Sequence, residues 1–151
     1  MPAVQICWFW SAGFSPASLY TRFAGECQWW LQSAASAARA AFHPALPGAP
    51  GHAIWKRDFT GACSLFGVEF RPEYSVESTH AFVEALELFG IGASWGGFES
   101  LALPTTGFVT RTASAAQFEG PLVRLHIGLE DVNDLIADLE QGLKVMQEFA
   151  G

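Results

Sequence analysis

The sequence predicts an α/β domain of the α+β type, a small and mainly antiparallel sheet with helices on one face. Three observations lead there. Val123, Leu125 and Ile127 alternate with Leu122, Arg124 and His126, the two-residue period of a strand, and Gly128 closes the run. Behind it, Val132, Leu135, Ile136, Leu139, Leu143 and Met146 recur at helical spacing, and Glu130 and Asp131 supply the negative charge that suits a first helical turn. Elsewhere Gly and Pro cut the chain into short pieces in the order strand, helix, strand, strand, strand, helix.

Taken in order, residues 1–42 differ from the rest of the chain. Trp8, Trp10, Trp29 and Trp30 lie there, and Ser33 to Ala41 is almost wholly Ala and Ser. Propensity favours a helix from about residue 23 to 42, although its apolar residues keep no clean period. From His43 to His52, three prolines and two glycines exclude helix and predict an extended connection. Trp55-Lys56-Arg57-Asp58-Phe59 reads as a capped helical turn on the surface. Ala62 to Phe70 reads as a strand between Gly61 and Pro72. Ser75 caps a helix that runs to about Phe89 with Phe82, Val83, Leu86 and Phe89 inward, and Gly90 closes it. Ile91 to Ser94 is a short strand, Trp95 to Ser100 a turn-rich loop, and Leu101 to Leu103 a strand stopped by Pro104. Residues 105–119 read as a loop with one helical turn, and the last helix ends near Glu148.

Length and composition narrow the function classes. The 151 residues suit one domain, and half are hydrophobic, enough for a core. Charged residues make up only 15%, against about 25% in an average soluble domain, which suggests that part of the surface faces a partner. The net charge of −7 argues against nucleic acid, whose phosphates need clustered Lys and Arg. No apolar run is long enough to span a membrane, and the first twenty residues lack the basic start of a secretory signal. Cys7, Cys27 and Cys63 form no CxxC pair and read as reduced thiols, so the expected location is cytoplasmic.

Arg124 is the leading candidate for function. A cation planted in an apolar strand either grips a carboxylate through the two parallel hydrogen bonds of its guanidinium fork or snorkels from a half-exposed face. His126, on the same face, reads as a hydrogen-bonded packing residue, because nothing near it in sequence would orient it as an acid or base. Ser94-Trp95-Gly96-Gly97 is the second candidate, since two glycines let a backbone approach a ligand and expose its amides. His43, His52 and the scattered cysteines show no metal-ligand spacing, and there is neither a Gly-rich phosphate loop nor a GxSxG elbow.

Four segments together resemble a known family: His43-Pro44-Ala45-Leu46-Pro47, Trp55-Lys56-Arg57-Asp58-Phe59, Ser94-Trp95-Gly96-Gly97-Phe98-Glu99-Ser100-Leu101, and Arg124-Leu125-His126-Ile127-Gly128-Leu129-Glu130-Asp131. They are similar to bacterial cystathionine β-lyases, pyridoxal-phosphate enzymes of cysteine and methionine metabolism. The likeness runs from about residue 43 to the end and covers the smaller C-terminal domain of these fold-type I enzymes, so residues 43–151 are expected to be that domain and residues 1–42 a segment unlike the family. Related γ-lyases and γ-synthases usually differ at Trp95 and carry Ser-Val in place of His126-Ile127.

The resemblance implies that Arg124 binds the substrate's α-carboxylate and that Ser94 and Trp95 line the same end of the site. Ala93 departs from the aromatic residue often found there. It also implies a pyridoxal 5'-phosphate cofactor, cystathionine as substrate, a homotetrameric parent enzyme, and products homocysteine, pyruvate and ammonia, as in methionine biosynthesis. The family attaches its cofactor to a lysine. This chain has only Lys56 and Lys144, and neither matches that lysine. The expectation is therefore a truncated or frame-shifted chain with no catalytic or cofactor-binding residue of its own, inactive alone. The alternatives are a non-enzymatic interaction domain that packs on full-length lyase subunits and a stand-alone amino-acid-binding domain using Arg124.

Overall fold

The computed structural model describes residues 36–112 and 117–150. Within them lie strands β1 (Ala38–Phe42), β2 (Leu65–Phe70), β3 (Gly90–Ile91), β4 (Leu101–Pro104) and β5 (Leu122–His126). The helices are α1 (His52–Asp58), α2 (Val76–Glu84) and α3 (Val132–Ala150). The sheet order is β1-β2-β5-β4-β3, so β5 is central. Its pairings with β2 and β4 are antiparallel, as is β1 with β2, while β3 runs parallel to β4. The mainly antiparallel sheet read from the sequence is the one observed.

One face of the sheet carries the core. Phe66, Val68 and Phe70 of β2 lie beside Val123 and Leu125 of β5 and Ile127 just after it, under Phe82 and Val83 of α2 and Leu135, Leu139, Leu143 and Met146 of α3. These are the positions the two-residue and helical periods select. Ser75 caps α2 as expected, its hydroxyl accepting from the Ser78 amide at 3.0 Å. At the start of α3, Asp131 accepts from the Asn133 amide at 2.9 Å.

Several boundaries differ from expectation, each for a tertiary reason. Ala38–Phe42 is strand where propensity favoured helix, and the rest of that expected helix before residue 36 lies outside the described residues. Helix propensity in an Ala-rich stretch is a weak preference. Here pairing with β2 overrides it, aided by Arg39, which bonds the buried Glu69 carboxylate at 3.0 Å and Glu119 at 2.6 Å. The other oxygen of Glu69 accepts the amides of Glu119 and Gly120 at 2.7 and 3.2 Å, fastening the approach to β5.

Residues 43–52 form successive tight turns, not an extended run, with backbone bonds Leu46 to His43, Ala49 to Leu46 and His52 to Ala49. α1 is a surface helix, as read, with no buried residue and no side-chain cap at its start. α2 stops at Glu84, short of Phe89. The next amides that would extend it, those of Glu87 and Leu88, are taken by the Asp138 carboxylate of α3 at 2.9 and 2.8 Å. Gly90 therefore opens β3 and does not close a helix. β3 itself is only Gly90–Ile91, and the chain is loop from there to β4.

Candidate functional site

The face of β5 away from the core carries Arg124 and His126, two residues apart and so about 7 Å along the strand. Gly67 and Leu103 flank Arg124 in the neighbouring strands, and Leu65 and Leu101 flank His126. This face is covered by a loop, not a helix. Because β3 and β4 run parallel, the chain must travel back before it re-enters the sheet. Residues 92–100 make that return, and hydrogen bonds show them reaching across to β5.

Three of those bonds involve the candidate residues. A terminal nitrogen of Arg124 donates to the Gly92 carbonyl at 3.4 Å. Nε2 of His126 lies 3.1 Å from the Gly97 carbonyl, and Nδ1 lies 3.5 Å from the Gly96 amide. Ser94 and Trp95, both exposed, thus sit between one residue held by Arg124 and two held by His126. No hydrogen bond joins Ser94 or Trp95 to Arg124 directly; the shared turn brings the three together. Gly96 has φ 78°, a left-handed conformation that a glycine adopts without a steric cost.

Beyond the turn the loop is stapled to the chain that follows β5. Leu129 donates its amide to Phe98 at 2.9 Å. Glu130 accepts the amide and the hydroxyl of Ser100, each at 2.8 Å, and the Ser100 hydroxyl oxygen accepts the Gly128 amide at 2.8 Å. Sequence reading missed Ser100, and it placed Glu130 in the first turn of α3. Asp131 already caps that helix, and the surplus acid beside it was the available signal. Gly128 is required by close approach, since a Cβ there would stand 2.2 Å from the Phe98 carbonyl oxygen.

Arg124 is half-buried, and that burial lowers its pKa from the ordinary value, although a guanidinium keeps its charge. Among the described residues no Asp or Glu forms an ion pair with it. A guanidinium has five donors, and a single bond to a carbonyl leaves most of the fork free for an anion.

His126 is 1% exposed and hydrogen-bonded, as its sequence reading held. Its third partner is the Ser64 hydroxyl, 2.9 Å from Nδ1. The Gly96 amide can only donate, so Nδ1 is an acceptor and Nε2 carries the proton given to Gly97. Burial holds the ring's pKa below its ordinary value, outweighing the bond to Gly97 that favours the charged form.

The nearby pair Cys63 and His43 is not a nucleophile and its base. The His43 ring accepts the Ala45 amide at Nδ1, so Nε2 carries hydrogen and faces the Cys63 carbonyl at 3.2 Å. It cannot take the thiol proton. Among the described residues no cluster of His, Cys, Asp and Glu could hold a metal ion, and no helix is long and apolar enough to cross a membrane.

Comparison with known proteins extends this geometry. The family model described as Cys/Met metabolism PLP-dependent enzyme matches residues 22–144. The cystathionine beta-lyase of Bordetella avium is 50% identical over 103 residues, covering 68% of this chain and 26% of that protein. The cystathionine beta-lyase of Escherichia coli is 48% identical over 103 residues, 66% of this chain and 26% of that one. An L-alanine/L-glutamate racemase of Wolbachia pipientis is 39% identical over 133 residues, 83% of this chain and 33% of that one. Among solved structures, cystathionine gamma synthase from Xanthomonas oryzae pv. oryzae, in complex with aminoacrylate and cysteine, superposes with a TM-score of 0.75 at 28% identity, covering 87% of this chain and 35% of that one. The chain spans between about a quarter and a third of the length of these curated relatives.

Proposed function

Because the chain belongs to the pyridoxal-phosphate-dependent enzymes of Cys/Met metabolism, we propose that it serves a cystathionine β-lyase, in which it grips the substrate's α-carboxylate. The parent reaction cleaves cystathionine to homocysteine, pyruvate and ammonia. Family membership alone also covers a racemase and a γ-synthase. The narrower assignment is supported by the relatives named β-lyase at 48–50% identity and by Trp95 and His126-Ile127, where the γ-enzymes usually differ.

The observation that carries the reading is Arg124, a half-buried guanidinium with no acid partner among the described residues, beside an exposed turn. Its fork would take both carboxylate oxygens, with Ser94 and Trp95 lining the same end. Holding the carboxylate at two points fixes the rest of the amino acid, and such orientation can supply several kcal/mol of a barrier.

The residues present do not fit the cofactor itself. A lysine attached to it must be enclosed, whereas Lys56 on α1 and Lys144 on α3, the chain's two lysines, are both exposed. No step through the cofactor is therefore assigned to this chain. A second reading, an interaction domain that packs on full-length lyase subunits, is favoured by the exposed side chains of Ile91, Phe98 and Phe108.

The test is a chimera in which residues 43–151 replace the matching part of the Escherichia coli relative. It should release pyruvate from cystathionine. Arg124→Gln should raise its KM roughly 100-fold, the worth of two charge-assisted hydrogen bonds. A KM unmoved by that change would overturn the carboxylate role. Cystathionine turnover by the free chain with pyridoxal phosphate, lost in Lys56→Ala or Lys144→Ala, would overturn the division of labour.

A further inference from the structure

His126 bonds two separate parts of the chain and has no part in the function proposed above. It bonds Ser64 ahead of β2 and both Gly96 and Gly97 in the loop. We propose that neutral His126 is a positioning residue: it holds the Trp95-Gly96-Gly97 turn beside Arg124, and gain of a second ring proton breaks its bond to the Gly96 amide and loosens that turn.

The argument is one of donors and acceptors. In the neutral ring, Nε2–H donates to the Gly97 carbonyl, and the lone pair of Nδ1 is shared between the Ser64 hydroxyl at 2.9 Å and the Gly96 amide at 3.5 Å. A second proton would go to Nδ1. Ser64 can rotate its hydroxyl and accept from the new N–H. The Gly96 amide cannot turn round, so donor would face donor and that bond would be lost. The turn would keep its tie to Gly97 but lose the one nearest Trp95.

The charged and titratable groups around the ring set the direction. Arg124 on the same strand opposes the second proton, and so does burial, the largest influence. Glu130 and Cys63 favour it. Glu99 is the one charged residue within the overlying segment 92–100, and β4 has none. The net effect is a pKa below the ordinary imidazole value. A depressed folded pKa means that the Gly96 bond is complete above about 6.5 and is lost as pH falls through the lower native value. For the proposed carboxylate site, on which this consequence rests, the acid limit would come from His126 and not from Arg124.

The experiment uses the full chain, labelled with 15N and without ligand. Long-range 1H–15N correlation at pH 8 should show His126 protonated at Nε2 alone. The amides of Trp95, Gly96 and Gly97 should shift together with the His126 titration, at a midpoint below that of free imidazole. His126→Gln, which retains a donor towards Gly97, should abolish that shared midpoint. Arg124→Gln should keep it and move it upward, because a cation is removed. An Nδ1–H tautomer, or turn amides indifferent to the titration, would overturn the proposal, and the wild-type titration decides this even if a variant fails to fold. Loss of the Gly96 bond, and not the nearby charge alone, should show as weaker hydrogen-exchange protection of the Gly96 amide below the midpoint. Because no carboxylate ligand is present, failure of the Arg124 reading would not alter any of these results.

Discussion

The two faces of β5 are built by opposite means. Val123 and Leu125, with Ile127 after the strand, meet α2 and α3 in a core that excludes water. Arg124 and His126, the residues between, meet a glycine-rich loop through individual hydrogen bonds. On the first face, stability is spread over many apolar contacts, and no single partner matters. On the second, each side chain has a few partners of fixed polarity, and one of them, Arg124, keeps donors unused. A core can be assembled from any residues of suitable size and period. A site needs particular atoms, and it can leave a charge without its counterion, which a packed core would not tolerate.

The contrast is sharpest under substitution. Leu125→Ala removes a side chain buried to 1% exposure in the middle of the core. It should cost about 3–4 kcal/mol, from lost burial plus the cavity left behind. Urea unfolding with an unchanged m-value would measure it. A loss below about 1 kcal/mol would mean that the helices do not pack on this face as described.

Gly128→Ala attacks the loop side. Its Cβ would stand 2.2 Å from the Phe98 carbonyl oxygen and 2.7 Å from the Glu99 carbonyl carbon. Backbone cannot yield as a flexible side chain can, so the loop must lift away and surrender the Ser100 bonds to Glu130 and Gly128. The expected cost is about 2–3 kcal/mol, at the upper end of overpacking effects. Faster hydrogen exchange at the Ser100 and Leu129 amides should accompany it. Unchanged exchange there would show that the loop is not stapled to the segment after β5.

The same contrast explains what could be read in advance. β5 and α3 were legible because both obey a period that burial enforces, and Ser75 was legible because a cap acts within four residues of itself. Arg124, Ser94 and Trp95 were legible as types of residue in telling places. What escaped was long-range polarity. Asp138 ends α2 from fifty residues away, Glu69 draws β1 and the segment before β5 together, and Ser64 completes the bonding of His126. No local pattern encodes such partners, because an acid or a hydroxyl looks the same in sequence whether it meets water or a buried amide. The Ala-rich β1 was misread for the same cause, its pairing being decided by β2 and not by its own propensity.

Arg124→Leu is the smallest expected effect. Arg124 immediately precedes Leu125 in the same strand, so an equal cost for the two would erase the distinction between the faces. Replacing it removes one long hydrogen bond, to Gly92, and relieves the desolvation of a cation that no described acid balances. The new side chain keeps apolar volume between Gly67 and Leu103. Stability should stay within about 0.5 kcal/mol of wild type or rise above it, as happens where a residue is kept for function at some cost to the fold. Urea midpoints of the two variants, compared side by side, decide the matter. A loss near that of Leu125→Ala would show that the guanidinium holds this sheet together, and its place in a carboxylate grip would then have no support from an uncommitted charge.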